Sequence, residues 1–258
     1  MIHPLAVVEE GASVGEGCEI GPFAVVGPQV VLGAGCVLRP HSVVTGDTEL
    51  GEECQVFPGA VVGEVPQDLK YRGEPAILRI GARNVIREGA TLNIGTEGGG
   101  GETVVGDRNL FMTGAHVGHD ARIGSGCVVA NQAAIAGHCV IEDDVVIGGL
   151  CGIHQFVRIG RGAIIGALAM VTNDVIPYGL VQGPRGELDG LNLVGMKRRG
   201  VERSDITALR AAYATLKQGE GSFAERARRL NDETDSAMVR EVCAFVLSDS
   251  DRHFLVPK

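Results

Sequence analysis

The stretch VGDRNL-FMTGAH-VGHDAR-IGSGCV, residues 105–128, divides into six-residue units that continue without a gap to VTNDVI, residues 171–176. Each unit opens with a large apolar residue, usually continues with glycine or another small or polar residue, and has a small or β-branched residue fifth. A period of six matches neither the 3.6 residues of an α-helix turn nor the alternation of a half-buried strand. The stretch therefore predicts a repeat architecture.

The same period covers most of the chain before this stretch. It runs from Val8 to the unit that opens with Val62, and it resumes at Ile80 after twelve extra residues, 68–79. A second interruption, residues 98–104, precedes the quoted stretch. All but one of the units open with Val, Ile or Leu. This regularity predicts one continuous structure with two insertions.

The physical interpretation is a mainly β fold, a parallel β-helix of triangular section over residues 1–184. Three six-residue units close one coil of eighteen residues, and the opening apolar residue of each unit points inward. Coils stack at the strand spacing of about 4.8 Å. Glycine at the second position, as at Gly118, suits corners that need a positive φ or close backbone approach. The interruptions become extruded loops, about 64–79 and 97–104, and long ordered loops usually carry function.

The composition changes near Pro177, after which apolar residues return at helical spacing. We expect a small all-α C-terminal domain, residues 185–258, that caps the unpaired edge of the β-helix. Ser204 is predicted as the N-cap of one helix, and Ser222 with Glu225 as the capping box of another. The predicted helices cover residues 189–199, 204–217, 223–231 and 237–247.

Composition narrows the functional classes. The formal net charge of −9 argues against a nucleic-acid binder as a whole. The N-terminus lacks the pattern of a signal peptide, and no apolar run is long enough to cross a bilayer, so we expect a cytoplasmic protein without membrane insertion. Six of the seven cysteines occupy fifth positions and are interpreted as small buried residues; they are Cys18, Cys36, Cys54, Cys127, Cys139 and Cys151.

Positions eighteen residues apart lie above one another in such a fold. His119 therefore shares a column with Gly137 and Gln155, and His138 and His154 lie beside that column on the next two coils. His116 belongs to the same coil as His119. None of the four histidines holds an inward position, so they are not explained as core residues. The register predicts a histidine site at one corner.

Two chemistries fit this cluster. A zinc site needs three ligands in tetrahedral reach and an open position. An acyl-transfer site needs a general base and donors for the oxyanion: His119 is then the base, Asp120 its orienting partner, and the N–H of Gly137 the donor. No serine or cysteine points outward beside the histidines, which favours direct transfer to an acceptor hydroxyl or amine.

The chain also resembles a known family. The motifs AHVGHD (115–120), NQAAIAGH (131–138), GLCGIHQF (149–156) and NLVGMKRRG (192–200), with the loop GEVPQDLKYRGEP (63–75), are similar to those of the UDP-N-acetylglucosamine O-acyltransferases of lipid A biosynthesis. These enzymes belong to the hexapeptide-repeat, left-handed β-helix acyltransferases. The resemblance spans essentially the whole chain.

The resemblance implies transfer of an (R)-3-hydroxyacyl group from acyl carrier protein to the glucosamine 3-hydroxyl of UDP-N-acetylglucosamine by a homotrimer. No cofactor or metal is implied, because the acyl group arrives on the carrier's phosphopantetheine. The catalytic residues that the resemblance implies are His119, Asp120 and Gly137. Gly166 and Ala167 would lie where acyl length is measured. The implied substrate-binding residues are Gln67, Asp68, Lys70, His116, His138, His154, Gln155, Asn192, Arg198 and Arg199.

Other functions stay open at this point. A related enzyme could acylate a 3-amino sugar nucleotide, forming an amide in place of an ester. A zinc-dependent γ-type carbonic anhydrase shares the β-helix and uses three histidines as ligands. A purely structural β-helix is disfavoured, because it would not require outward histidines in register or two extruded loops.

Overall fold

The six-residue units form short strands, most of them two residues long, in a computed structural model that describes residues 1–250 and 252–257. The opening residue of each unit points into the fold and is buried from Ile20 to Val171. Val8 and Val14 in the first coil are only partly buried. The mainly β fold with parallel sheets is therefore confirmed.

The strands stack into three sheets. The first sheet contains Val7–Val8, Val25–Val26, Val43–Val44, Val61–Glu64, Thr91–Asn93, His116–Val117, Ala134–Ile135, Gly152–Ile153 and Met170–Val171. The second contains Ser13–Val14, Val31–Leu32, Asp47–Leu50, Ile77–Ile80, Glu102–Val105, Arg122–Ile123, Val140–Ile141 and Arg158–Ile159. The third contains Glu19–Ile20, Val37–Leu38, Gln55–Val56, Val85–Ile86, Leu110–Phe111, Val128–Val129, Val146–Ile147, Ile164–Ile165, Gly179–Gln182 and Glu187–Leu191.

Strand register records the coil length directly. Val25 pairs with Val43, eighteen residues later, as in an uninterrupted coil. Val61 pairs with Thr91 and Ile77 with Glu102, so these two coils contain thirty and twenty-five residues. Twelve and seven residues are therefore extruded from the two coils. Both loops leave the β-helix between a strand of the first sheet and the following strand of the second sheet.

The corners explain two features of the repeat. A Cβ atom on Gly118 would lie 2.8 Å from the nitrogen of Gly137, so close backbone approach, and not a positive φ, requires this second-position glycine. The positive φ occurs at the fourth position instead, as at Asp120 (60°), His138 (60°) and Phe156 (64°). Side chains in this conformation stack in one column along the corner.

The repeat cysteines are buried and free of disulfide bonds. Several of their thiols donate to a backbone carbonyl of the next coil, as Cys36 does to Gly51 O at 3.2 Å. The prediction that they are small buried residues is confirmed.

Four helices follow the sheets: α1 (Leu193–Arg198), α2 (Arg203–Lys217), α3 (Phe223–Glu233) and α4 (Ala237–Leu247). The Ser222–Glu225 capping box of α3 is confirmed. The N-cap prediction for Ser204 is wrong, because α2 begins at Arg203 with Glu202 as its N-cap. The helix predicted from residue 189 is also wrong in its first part, where Glu187–Leu191 pairs antiparallel with the preceding strand. The boundary after residue 184 stays a prediction.

The segment after α4 returns to the β-helix. Asp174 forms a β-bridge with Phe254, and Leu188 forms one with Pro257. A one-turn 3₁₀ helix, Glu97–Gly99, lies in the second extruded loop. None of the helices formed by residues 1–250 and 252–257 combines the length and the apolar character that crossing a membrane requires.

Candidate active site

One corner of the β-helix collects the predicted site residues. Both extruded loops leave from the corner between the first and second sheets. On the next three coils the same corner carries His119, His138 and His154 in turn. The loops therefore cover the histidine column from one side, which is why His119 is only 7% exposed although it does not point into the β-helix.

His119 and Asp120 form a hydrogen-bonded pair. The His119 Nδ1 to Asp120 Oδ2 distance is 2.7 Å, and the Asp120 side chain is fully buried. A carboxylate can only accept in this contact, so Nδ1 carries the ring proton and Nε2 keeps its lone pair. The pair therefore has the arrangement of a general base with an orienting carboxylate.

The second extruded loop holds the Asp120 carboxylate in place. Thr96 donates to it twice, from its backbone N–H to Oδ1 at 2.8 Å and from its hydroxyl to Oδ2 at 2.6 Å. The backbone N–H of Asp120 donates to Thr103 Oγ1 at 2.8 Å. A Cβ on Gly99 would lie 2.0 Å from the carboxylate carbon, so glycine is needed there. Residues 96–103 thus fix the carboxylate partner of His119.

Gly137 lies directly against the His119 ring on the next coil. A Cβ at Gly137 would be 2.6 Å from Cε1 and 2.7 Å from Nε2 of that ring. No acceptor for the Gly137 N–H is found within residues 1–250 and 252–257. The repeat does not need this N–H, since proline takes the equivalent third position at Pro22 and Pro40. A free donor therefore lies beside the atom that would act as base.

His138 closes the upper side of the pair. Its ring meets the His119 ring edge-on with centroids 5.0 Å apart, and its Nδ1 is 3.7 Å from Asp120 Oδ2. Burial lowers the pKa of His138, which favours the neutral ring. Phe156 stacks on the other face at 4.4 Å. The sequence reasoning missed Phe156, although adding eighteen to 138 points to it.

A cleft beside His119 extends along the outer face of the first sheet. His116 lies in it and bonds Thr91 Oγ1 through Nδ1 at 2.8 Å. Burial lowers the pKa of His116 as well. On the next two coils the outward positions beside His116 are Ala134 and Gly152. These small residues leave the surface of the first sheet open along the cleft. The cleft has a volume of about 260 Å³ and includes His119 and Gly137 in its lining.

The first extruded loop forms the opposite side of this cleft. Asp68 Oδ2 is 4.0 Å from His119 Nε2, and Gln67 lines the cleft. The backbone N–H of Lys70 donates to Asp68 at 2.9 Å, and this bond lowers the pKa of that carboxyl. Asn93 donates to the carbonyls of residues 64 and 65 and fixes the root of the loop. The Lys70 side chain is exposed.

His154 and Gln155 form the far end of the corner. Gln155 lines the cleft, as its column with His119 predicts. His154 is not in ring contact with the other histidines; its Nδ1 lies 2.8 Å from Nη2 of Arg252 in the C-terminal segment. Within residues 1–250 and 252–257, the histidines of one chain therefore do not form the three-histidine set of a zinc enzyme. One possible ligand atom from each of His119, His138 and Asp120 does lie within 4.8 Å of the other two. Both oxygens of Asp120, however, already accept hydrogen bonds from Thr96.

The remaining predicted residues lie outside this cleft within the chain. The Asn192 side chain caps α1 by accepting from the backbone N–H of Gly195 through Oδ1 at 2.9 Å. Its Nδ2 donates to Gly162 O at 2.9 Å. Arg198 is exposed, and Arg199 reaches Gly162 O at 3.4 Å. Gly166 and Ala167 lie between the third and first sheets, farther along the stack. The structure does not bring these five residues to His119 of the same chain.

Comparison with known proteins gives a consistent result. Residues 174–255 match the family model for the second domain of UDP-N-acetylglucosamine O-acyltransferases. Three segments, residues 11–46, 102–137 and 138–173, match the model for bacterial transferase hexapeptide repeats.

Curated relatives and solved structures agree with the family models. The chain is 63% identical over 198 residues to an acyl-[acyl-carrier-protein]–UDP-N-acetylglucosamine O-acyltransferase of Paracoccus denitrificans, covering 77% of this chain and 75% of that protein. It is 48% identical to the enzyme of the same name from Rhizobium johnstonii, covering 99% and 94%. A crystal structure of a UDP-N-acetylglucosamine acyltransferase superposes with a TM-score of 0.96 at 41% identity, covering 100% of this chain and 99% of the other.

Proposed function

The chain belongs to the UDP-N-acetylglucosamine O-acyltransferase family, and on that premise we propose that the cleft beside His119 is where it transfers an acyl group. The protein is an acyl-[acyl-carrier-protein]–UDP-N-acetylglucosamine O-acyltransferase, which catalyses the first step of lipid A biosynthesis. The relatives support this reading and neither of the alternatives, amide formation on a 3-amino sugar or carbonic anhydrase activity.

His119 is the general base. Its Nε2 takes the proton from the 3-hydroxyl of the glucosamine while that oxygen attacks the thioester carbon and forms the new C–O bond. The single observation that carries this role is the 2.7 Å contact of Nδ1 with Asp120, which leaves Nε2 as the acceptor. The imidazolium that forms is stabilised by the same carboxylate.

Gly137 stabilises the tetrahedral intermediate. Its N–H has no acceptor in the described part of the chain and lies against the His119 ring. When the intermediate collapses, the C–S bond breaks and the proton on His119 Nε2 passes to the departing phosphopantetheine thiol. A preorganised donor of this kind is worth about 10²–10³ in rate.

The loop and the corner hold the substrates. Asp68, Gln67 and Lys70 reach the acceptor from the first loop, with Asp68 only 4.0 Å from Nε2 of the base. His116 and His138, whose pKa values are lowered by burial, serve as neutral partners of the sugar. His154 and Gln155 complete the far end. The acyl group is an (R)-3-hydroxyacyl chain whose own hydroxyl lies within reach of this loop.

Arginine residues on α1 serve the charged parts of the substrates. Arg198 and Arg199, with Asn192 at the start of that helix, contact the nucleotide or phosphopantetheine across a subunit boundary, since they lie away from His119 of their own chain. Lys197, Arg203 and Arg210 line one basic hollow on the helical domain of an otherwise acidic protein. This hollow fits an acidic carrier protein. The chain needs no cofactor of its own.

In a homotrimer, a neighbouring subunit would cover the open side of the cleft at Ala134 and Gly152. Leu150, Leu168 and Met170 are 51–66% exposed on the flank that holds Gly152, and exposed apolar residues in one place mark an interaction surface. Gly166 and Ala167 border this flank and set acyl length there. The seven free cysteines fit a reducing, cytoplasmic location.

The test is a mass-spectrometric transfer assay on the purified protein. We expect ester formation with UDP-N-acetylglucosamine and a 3-hydroxyacyl carrier protein, and much slower transfer to the 3-amino analogue. Carriers with chains of different length would give the acyl preference. Faster transfer to the amine would contradict the assignment of the acceptor, and activity lost on chelation and restored by zinc would contradict the metal-free mechanism.

A further inference from the structure

The C-terminal segment, residues 252–257, is tied tightly to the last coils of the β-helix. The buried Asp174 carboxylate accepts from Nε of Arg158 at 2.7 Å and from Ser250 Oγ at 2.7 Å. Asp174 also exchanges backbone hydrogen bonds with the segment, donating to His253 O and accepting from Leu255 N, each at 2.8 Å. Phe254 packs against the rings of α3 and α4. The position of residue 252 is therefore fixed from both sides.

This anchoring brings Arg252 to the corner that carries the proposed active site. Both N–H groups of its Nη2 atom are used: one donates to His154 Nδ1 at 2.8 Å and one to the backbone carbonyl of Gln155 at 2.8 Å. Gln155 lines the cleft beside His119. Arg252 forms no salt bridge with any residue in 1–250 or 252–257. Among the described residues, the contacts of its guanidinium are thus with His154 and Gln155.

The contact determines which nitrogen of His154 carries the proton. A guanidinium has five N–H donors and no acceptor, so His154 Nδ1 must accept. The competing contact from Nδ1 to Gln155 O is longer, 3.3 Å, and the same carbonyl already accepts from Arg252. His154 is therefore the neutral ring with its hydrogen on Nε2, which can donate to a substrate oxygen.

We propose that Arg252 is a positioning residue of this enzyme: it fixes His154 as an Nε2–H donor and holds the backbone at Gln155. The C-terminal segment thereby completes a site otherwise built from repeat corners and extruded loops. This inference rests on the proposed function, in which His154 contacts substrate. A hydrogen bond from a charged donor is typically strong enough that its loss lowers an affinity or rate about tenfold or more.

The experiment is a double-mutant cycle on the full chain. We would measure kcat and KM for UDP-N-acetylglucosamine and for the acyl carrier protein in the wild type, Arg252→Gln, His154→Ala and the double variant. A glutamine side chain can donate or accept, so Arg252→Gln does not fix the tautomer of His154. We would also measure Arg252→Lys, whose ammonium group can only donate. The control is His253→Ala, a change of the exposed neighbouring side chain that leaves the backbone bond to Asp174 intact.

We expect Arg252→Gln to lower kcat/KM about tenfold or more, Arg252→Lys to lose less, and His253→Ala to match the wild type. In the His154→Ala background, Arg252→Gln should add much less than its separate effect, since coupled residues are not additive. The inference would be overturned if kcat/KM in the double variant fell by the product of the two single-variant reductions. An unchanged kcat/KM in Arg252→Gln would also overturn it. A His154→Ala variant with unchanged kcat/KM would overturn the inference as well, because His154 would then have no substrate contact to position. The proposed function is tested separately by the wild type, whose failure to transfer the acyl group would contradict it.

Discussion

Replacing Gly137 with alanine tests the packing of the catalytic corner. The new methyl group would lie 2.6 Å from Cε1 and 2.7 Å from Nε2 of His119, whereas ordinary van der Waals contacts begin at 3.4 Å. The ring must therefore move by about 0.8 Å. It cannot turn freely, because Nδ1 is bonded to Asp120 and that carboxylate is held by two bonds from Thr96. The displacement falls on Nε2, the atom proposed to remove the proton.

A misplacement near 1 Å costs about 10²-fold in rate, which corresponds to about 2.7 kcal/mol in the activation free energy. We therefore expect kcat/KM of Gly137→Ala to fall by about two orders of magnitude, measured by transfer assay, with an unchanged circular dichroism spectrum. Gly190→Ala is the matched control, because a Cβ there meets nothing within 4 Å. A Gly137→Ala enzyme within threefold of the wild type would refute the reasoning.

Two further predictions concern Thr96 and His116. Thr96→Val removes the 2.6 Å hydroxyl bond to Asp120. Because hydrogen bonds to charged groups are worth about 1.5–3 kcal/mol, kcat/KM should drop about tenfold or more in the transfer assay. The control Thr215→Val, which removes a hydroxyl bond to Ala211 O on the exposed side of α2, should leave kcat/KM unchanged. The free energy of unfolding should fall on acidification, because burial lowers the pKa of His116 in the folded protein. In the unfolded chain the pKa of this histidine is about 6.5. Below that pH the unfolded chain binds more protons than the folded one, so acid favours unfolding. The thermal midpoint should be lower at pH 5.5 than at pH 7.5, and the difference should be smaller in His116→Asn; an equal difference would contradict this contribution.

The repeat period made much of this architecture predictable from the sequence. A count of eighteen residues aligns His119 with Gly137 and Gln155, and the structure does stack them at one corner. The same count would have identified Phe156 above His138. This works because parallel strands in a coil have a fixed register, so sequence separation translates directly into spatial position.

Residues outside the period were not predictable in this way. Thr96 reaches Asp120 from an inserted loop, and Arg252 reaches His154 from the C-terminal segment ninety-eight residues later. Insertions and the helical domain carry no register with the coils, so no count connects them to the site. Ser204 failed as a cap for a local reason: a favourable N-cap residue type does not decide where a helix begins when the preceding residues can extend it.

The most direct test of the central claim is the rate of acyl transfer by His119→Ala, measured with saturating UDP-N-acetylglucosamine and acyl carrier protein. General-base catalysis contributes about 10²–10⁴ in rate, so we predict a kcat reduced by at least two orders of magnitude. The circular dichroism spectrum should match the wild type, since His119 lies outside the β-helix core. A correctly folded His119→Ala protein that retains a tenth or more of the wild-type kcat would contradict the assignment of His119 as the base.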